Sequence, residues 1–296
     1  MKRQLDIIVT ALAPLIWGST YYVTSEYLPA GYPITMAALR ALPAGLLLLV
    51  LARQLPSGVW WGRIFVLGAL NFTLFWTLLF VAAYRLPGGI AATVGAVQPL
   101  IVVFLASIAL RTPIKATAVI AAITGVIGVG LLVLGGSVSL DPIGLAAGLA
   151  GAISMAGGTV LTRKWQPPVP LLTFTAWQLT AGGLLLVPIA LLLEPSLPSL
   201  SSQNIAGIAF LSIIGASLTY ILWFRGIARL EPGAVSALGF LSPLSAVLIG
   251  WVMLEQALTT WQIIGAGTVL AAVLLGQFSG HFRPIISNIH TPHTSN

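Results

Sequence analysis

Residues 85–100 read RLPGGIAATVGAVQPL, and residues 229–244 read RLEPGAVSALGFLSPL. Aligned without a gap at an offset of 144, the two stretches share Arg, Leu, two Gly, Pro and Leu. The match extends upstream, where Phe80 meets Phe224 and Trp76 meets Tyr220, and it brings Pro99 onto Pro243. Further back, TMAALRALPAGLLLL (35–49) echoes TFTAWQLTAGGLLLV (173–187) at an offset of 138, with Arg40 opposite Gln178 and Gly45 opposite Gly183. The chain therefore reads as one unit written twice. The expected division is residues 1–137 for the first copy, 138–280 for the second and 281–296 for a polar tail.

Composition fixes the solvent. The 296-residue chain is 58% hydrophobic and 6% charged, against roughly 25% charged residues in soluble domains. Only lipid tolerates so much apolar surface. Cysteine is absent, which excludes disulfides, thiolate metal sites and cysteine nucleophiles. The net charge of +7 is spread as single and paired basic residues between apolar runs. That is the signature of membrane topology rather than of a phosphate-binding face, so no nucleic-acid partner is expected.

Runs of about the ~20 residues needed to cross a bilayer fall near 6–26, 33–53, 62–84, 88–110, 115–135, 141–163, 171–193, 204–226, 233–254 and 261–280. Turn chemistry such as RQLPSG, RTPIK and RLEPG separates them. The run after MKRQLD is too long for a signal peptide and has no small-x-small cleavage site, so it reads as an uncleaved first helix. An all-α membrane protein of ten transmembrane helices follows. Of the 13 Lys and Arg residues, a cytoplasmic N-terminus places eleven on the inside, Arg85 alone outside and Arg40 within span two. That bias predicts both termini in the cytoplasm. Since five crossings is an odd number, the second copy is expected to lie upside down relative to the first. Two inverted five-helix repeats around a central cavity can exchange packings and so open alternately to either face.

WGSTYYV (17–23), the Pro-centred spans four and nine, and MLEQALTTWQIIGAGTVLAAVLL (253–275) resemble the EamA-type transporters of the drug/metabolite transporter superfamily. The resemblance covers residues 6–280, and within the family the chain looks most like the bacterial aromatic amino acid exporters. It implies ten helices and a cavity lined by spans one, three, four, six, eight and nine. The chain departs from the family where Arg111-Thr112 follows span four in place of an acidic residue, which makes Glu255, after span nine, a turn or helix-end residue.

Polar and aromatic residues in lipid pack against protein or line water. In span one, Trp17, Ser19 and Tyr22 are expected to face the cavity, with Glu26 on the same stripe as Ser19 and Tyr22; back-bonding of Ser19 to its own helix is the plainer reading. Arg40 costs ~2.5–3.5 kcal/mol at a helix centre; it either pairs with Glu26 or draws a solute carboxylate by a bidentate contact. Pro99 and Pro243 are expected to break their helices near the midplane, with Gln98 and Ser242 supplying hydrogen bonds beside them. Trp76, Phe80, Tyr220 and Phe224, together with Trp177 and Gln178 in span seven, offer stacking surface and an amide to an aromatic solute. Gly125-x-x-Gly128 and Gly144-x-x-x-Gly148 permit close helix approach within one chain or between two, which leaves a homodimer open.

No span contains His, and no Asp lies in the core of a span. The residue sets of a hydrolase, an HExxH metalloenzyme or an acidic metal site are missing from the spans. No catalytic residue, metal or cofactor is expected. Proton relays need buried titratable groups. The expectation is therefore a carrier in the cytoplasmic (inner) membrane that exports small amphipathic metabolites, aromatic or other neutral amino acids foremost, by facilitated diffusion. Export of drugs or other toxic metabolites is the alternative.

Overall fold

The computed structural model describes residues 2–85, 94–133, 141–253 and 259–278. The expected start of span four, the 137/138 boundary, Glu255 and the tail 281–296 with its three His lie outside the described residues. All elements among the described residues are helical. They are α1 (Lys2–Tyr27), α2 (Pro33–Ala52), α3 (Trp60–Gly68, a π-helical turn Ala69–Thr73, then Leu74–Arg85), α4 (Gln98–Leu110) and α5 (Ala116–Val133). The second copy supplies α6 (Pro142–Lys164), α7 (Leu171–Leu193), α8 (Ser202–Ser212, a π-helical turn Ile213–Leu218, then Thr219–Arg229), α9 (Pro232–Leu238 and Leu241–Met253) and α10 (Thr260–Phe278). Eight are long and apolar enough to cross a membrane, and α4 and α5 are shorter apolar helices. The outer surface carries bare aliphatic side chains such as Ile108 (79% exposed) and Leu192 (83%), a face that lipid covers at no cost and water does not.

Helix ends follow local chemistry. Pro33 and Pro142 occupy first turns, where the missing N–H has no intrahelical acceptor in any case. Ser201 and Asn204 form a reciprocal capping box at α8. The Glu194 carboxylate, just past α7, accepts from the Ile34 and Thr35 N–H groups at 2.6 and 2.7 Å and so caps α2 from a neighbouring helix. Asp141 caps α6 by accepting from the Gly144 N–H at 2.8 Å. That bond first, with Arg85 nearby, holds its carboxyl below the usual carboxylate range. With the folded pKa below the unfolded one, the cap's contribution is present at neutral pH and is lost only as pH falls through the lowered value.

The helices pack in pairs that the repeat predicts. α1 lies against α8 and α9, and α6 against α3 and α4; exchanging the copies turns one set into the other. α2 packs on α7 and α5 on α10, each helix on its own repeat partner. Glycines set both crossings. A Cβ on Gly45 would stand 2.4 Å from the Thr180 N, and one on Gly183 would stand 2.7 Å from Leu42; adding 138 converts the first contact into the second. In the same way Gly128 meets Val269 at 2.8 Å and Gly265 meets Leu132 at 2.7 Å, related by 137. With five crossings per copy, these self-paired contacts belong to two inverted five-helix repeats. Gly45→Val should cost about 1–3 kcal/mol by overpacking, read as a lower melting temperature in detergent. Gly62→Ala, with nothing within 4 Å of the added carbon, should be neutral or slightly stabilising.

The expected breaks are present at equivalent points, but the prolines stand just after them. Helix α4 starts after a turn at Ala96–Val97 and α9 is interrupted at Gly239–Phe240, the same place in the repeat to within one residue. Pro99 and Pro243, however, sit in the first turn of the segment that follows. There a proline leaves no carbonyl orphaned inside a helix. The prolines start half-helices rather than kinking whole ones.

Candidate solute site

Where α1, α3 and α8 meet, aromatic rings converge. Trp17 lies 5.1 Å from Tyr220 and 5.2 Å from Trp223, ring centre to ring centre. Phe72 lies 4.6 Å from Tyr220 and 5.4 Å from Trp76, and Phe224 lies 5.5 Å from Tyr220. The tilted and edge-on angles are those that ring quadrupoles prefer. Phe72, Trp76, Tyr220, Trp223 and Phe224 are buried, whereas Trp17 is only partly so; Phe80, also partly buried, packs against the same core. The cluster is thus shared between the two copies: Trp17, Phe72 and Trp76 come from the first, Tyr220, Trp223 and Phe224 from the second.

A cation stands at its edge. The Arg40 guanidinium lies over the Trp76 ring at 5.1 Å and donates from Nη2 to the Gly215 carbonyl at 2.6 Å. The π-helical turn of α8 explains that carbonyl. The Thr219 N–H bonds back to the Ile214 and Ala216 carbonyls, so Gly215, which would take it in an α-helix, can accept from Arg40 and from the Thr219 hydroxyl at 2.8 Å. Thr219 in turn accepts from the Trp17 indole N–H at 2.9 Å. One chain of bonds therefore links Trp17, Thr219, Gly215 and Arg40. The π turn of α3 does the same service elsewhere: the Leu74 N–H reaches back to Ala69, and the Leu70 carbonyl accepts from Ser154 on α6 at 2.9 Å.

Several expected members stand elsewhere. The Ser19 hydroxyl donates to the Ile16 carbonyl of its own helix, and Tyr22 meets Tyr27 edge-on. Glu26 is exposed, with the Ser25 hydroxyl 3.4 Å from its carboxylate, while the Arg40 side chain reaches to α8. Trp177 is not in the aromatic cluster. It packs with Ile64, Leu67, Phe174 and Ala181, and its indole donates to the Gln54 carbonyl at 2.7 Å, tying the α2–α3 loop to α7. Gln178 is fully buried and accepts from the Asn71 amide at 2.9 Å. Pro99 is buried, and Gln98, Ser242 and Pro243 are half-buried at the two breaks. Beside them Ser245 donates to the Leu15 carbonyl at 2.7 Å, joining α9 to α1.

Sequence reading missed Thr219, Gly215 and Asn71. The offset of 144 places Asn71 opposite Gly215, in matching π turns, and that equivalence was the signal available. No group of three metal-ligating side chains occurs among the described residues.

Residues 4–134 and 142–276 each match the EamA-like transporter family. The chain is 45% identical over 267 residues to Protein PecM of Dickeya dadantii, covering 90% of each chain. It is 31% identical over 281 residues to a WAT1-related chloroplast protein of Arabidopsis thaliana, covering 88% of this chain and 67% of that one. With the inner membrane transporter YedA of Escherichia coli K12 the identity is 28%, covering 97% of each chain. A solved crystal structure superposes with a TM-score of 0.77 at 20% identity, covering 93% of this chain and 98% of the other; at that identity it speaks for the fold alone.

Proposed function

The chain belongs to the EamA-like transporter family and is a multi-pass membrane transporter, and from that premise we propose that it exports small amphipathic metabolites, aromatic or other neutral amino acids foremost, from the cytoplasm across the inner membrane. The observation that carries this reading is the ring cluster built from both copies with the Arg40 guanidinium at its edge. A zwitterionic aromatic amino acid matches both parts. Its ring stacks in place of a cluster ring, and its carboxylate meets the planar N–H fork of Arg40. Placement between the copies lets either face of the membrane reach the solute in turn, with both termini on the cytoplasmic side.

Coupling to protons is weak in this reading, because Glu26 is exposed and the spans hold no His. Net flux then follows the solute gradient and is indifferent to an imposed pH gradient. The test is counterflow of labelled phenylalanine in proteoliposomes. Saturable uptake driven by unlabelled internal phenylalanine is expected, and no uptake removes amino acids as solutes. Trp17→Ala deletes two ring contacts and the bond to Thr219. It should lower that flux about 10-fold, on the basis of about 0.5–1.5 kcal/mol for each ring pair, while the protein still inserts and elutes as one species. Unchanged flux removes Trp17 from the site. The second reading, export of flat apolar drugs, rests on the same rings; a panel of cationic and neutral drugs run as competitors of counterflow separates the two.

A further inference from the structure

The contact between Arg40 and Gly215 has an inverted mate. An offset of 138 carries Arg40 of α2 onto Gln178 of α7, and an offset of 144 carries Gly215 of the α8 π turn onto Asn71 of the α3 π turn. The mates also bond: the Asn71 amide donates to the Gln178 carbonyl oxygen at 2.9 Å and to the Thr162 hydroxyl at 3.1 Å. One construction, an α2-type helix tied to a π turn, thus occurs twice, once in each half of the membrane.

The two are not in the same condition. The first lies against the aromatic cluster, with Arg40 half-buried. The second is closed. Asn71 and Gln178 are 0% exposed and Thr162 2%. Gly158 lies so near that a Cβ there would stand 2.0 Å from the Asn71 oxygen. Yet the closed cluster is incomplete: Asn71 Oδ1 and Gln178 Nε2 have no hydrogen-bond partner, and on α6, one turn before Thr162, the buried Thr159 hydroxyl has none either. Turning the amides over changes which end is bonded, not how many ends are left. A static bundle gains nothing from buried polar groups left without partners, since apolar side chains of like shape would serve it better.

We infer that Asn71, Thr159, Thr162 and Gln178 form the shut gate at the end of the solute path that faces the Arg229 side of the membrane, and that these groups become wet when the carrier turns to that face. The inference rests on the alternating-access reading above and adds the residues that close one end. When the gate opens, water or the polar end of the solute satisfies the orphaned groups, and the Arg40 end closes in its place.

The chain has no Cys, so Thr159→Cys can be labelled with a charged, membrane-impermeant maleimide in sealed vesicles of each orientation. Arg85→Cys and Arg229→Cys, both exposed, report which face is outside. Labelling of Thr159→Cys is expected from the Arg229 side only. Adding Asn71→Leu and Gln178→Leu, which replace the orphaned groups by apolar ones, should slow that labelling at least ~10-fold without loss of the folded, single-species protein. No labelling from either face, equal labelling from both, or labelling that the leucine pair leaves untouched overturns the gate. None of these readouts needs phenylalanine to be the solute. Failed counterflow alongside one-sided, leucine-sensitive labelling would therefore retire the amino acid assignment and keep the gate.

Discussion

Arg40→Leu should leave the protein in the membrane, hold or raise its melting temperature, and cut phenylalanine counterflow about 10- to 100-fold. The two effects have opposite signs for separate reasons. An Arg within a span costs about 2.5–3.5 kcal/mol on insertion scales, so its removal relieves the fold. The Gly215 carbonyl is not orphaned by the change, because the Thr219 hydroxyl still donates to it at 2.8 Å. Flux falls because a hydrogen bond to a charged group contributes about 1.5–3 kcal/mol, and 1.4 kcal/mol is a factor of ten. Arg40→Lys keeps the charge but not the planar fork, and should raise KM roughly 10-fold with kcat little changed. Arg40→Gln reproduces its repeat partner Gln178, retains a donor for Gly215 and lacks the cation. It should behave as Arg40→Leu does for phenylalanine. Were all three variants to transport phenylalanine as the parent does, Arg40 would be a helix tie and the carboxylate would be read elsewhere.

What the sequence could disclose depended on whether hydropathy or pairing carried the information. Span seven was expected at 171–193 and is observed as Leu171–Leu193, because in lipid a long apolar run has few structures open to it. The Gly45–Gly183 equivalence was visible as a repeat, and its packing meaning followed once α2 was found on α7. Ring orientation was not legible. Trp177 and Trp76 both read as tryptophans inside apolar spans, yet one ties down a loop at Gln54 while the other sits under Arg40. Asn71 is inconspicuous in the sequence, because a single amide in an apolar run has no periodicity; its role comes from Gln178, 107 residues away. The π turns leave no residue signature at all. They are seen only as hydrogen bonds one residue longer than an α-helix makes, at matching places in both copies. Sequence marks the two breaks by their prolines, but does not say whether Pro99 interrupts a helix or begins one.

Arg85 and Arg229 offer the sharpest test of the inverted arrangement, because the repeat makes them equivalents and the topology sends them to opposite faces. Each ends its helix, α3 or α8, and each meets an aspartate at the start of the helix packed against it. Arg85 pairs with Asp141 at 3.3 Å, and Arg229 with Asp6 at 3.3 Å, where Arg225 joins at 2.5 Å. Asp6 and Asp141 stand at the beginnings of α1 and α6, and five crossings separate those beginnings. The two ion pairs therefore occupy opposite surfaces of the bilayer, as copies of one contact. In right-side-out vesicles Arg85→Cys should react fully with an impermeant maleimide and Arg229→Cys not at all until the membrane is opened; inside-out vesicles should give the reverse. Neither substitution should disturb folding, since exposed ion pairs contribute only about 0–1 kcal/mol and Asp6 keeps Arg225. A parallel duplication would put both cysteines on one face and label them together. That outcome would remove the axis on which the paired glycine crossings, the shared ring cluster and the exchange of open ends all depend.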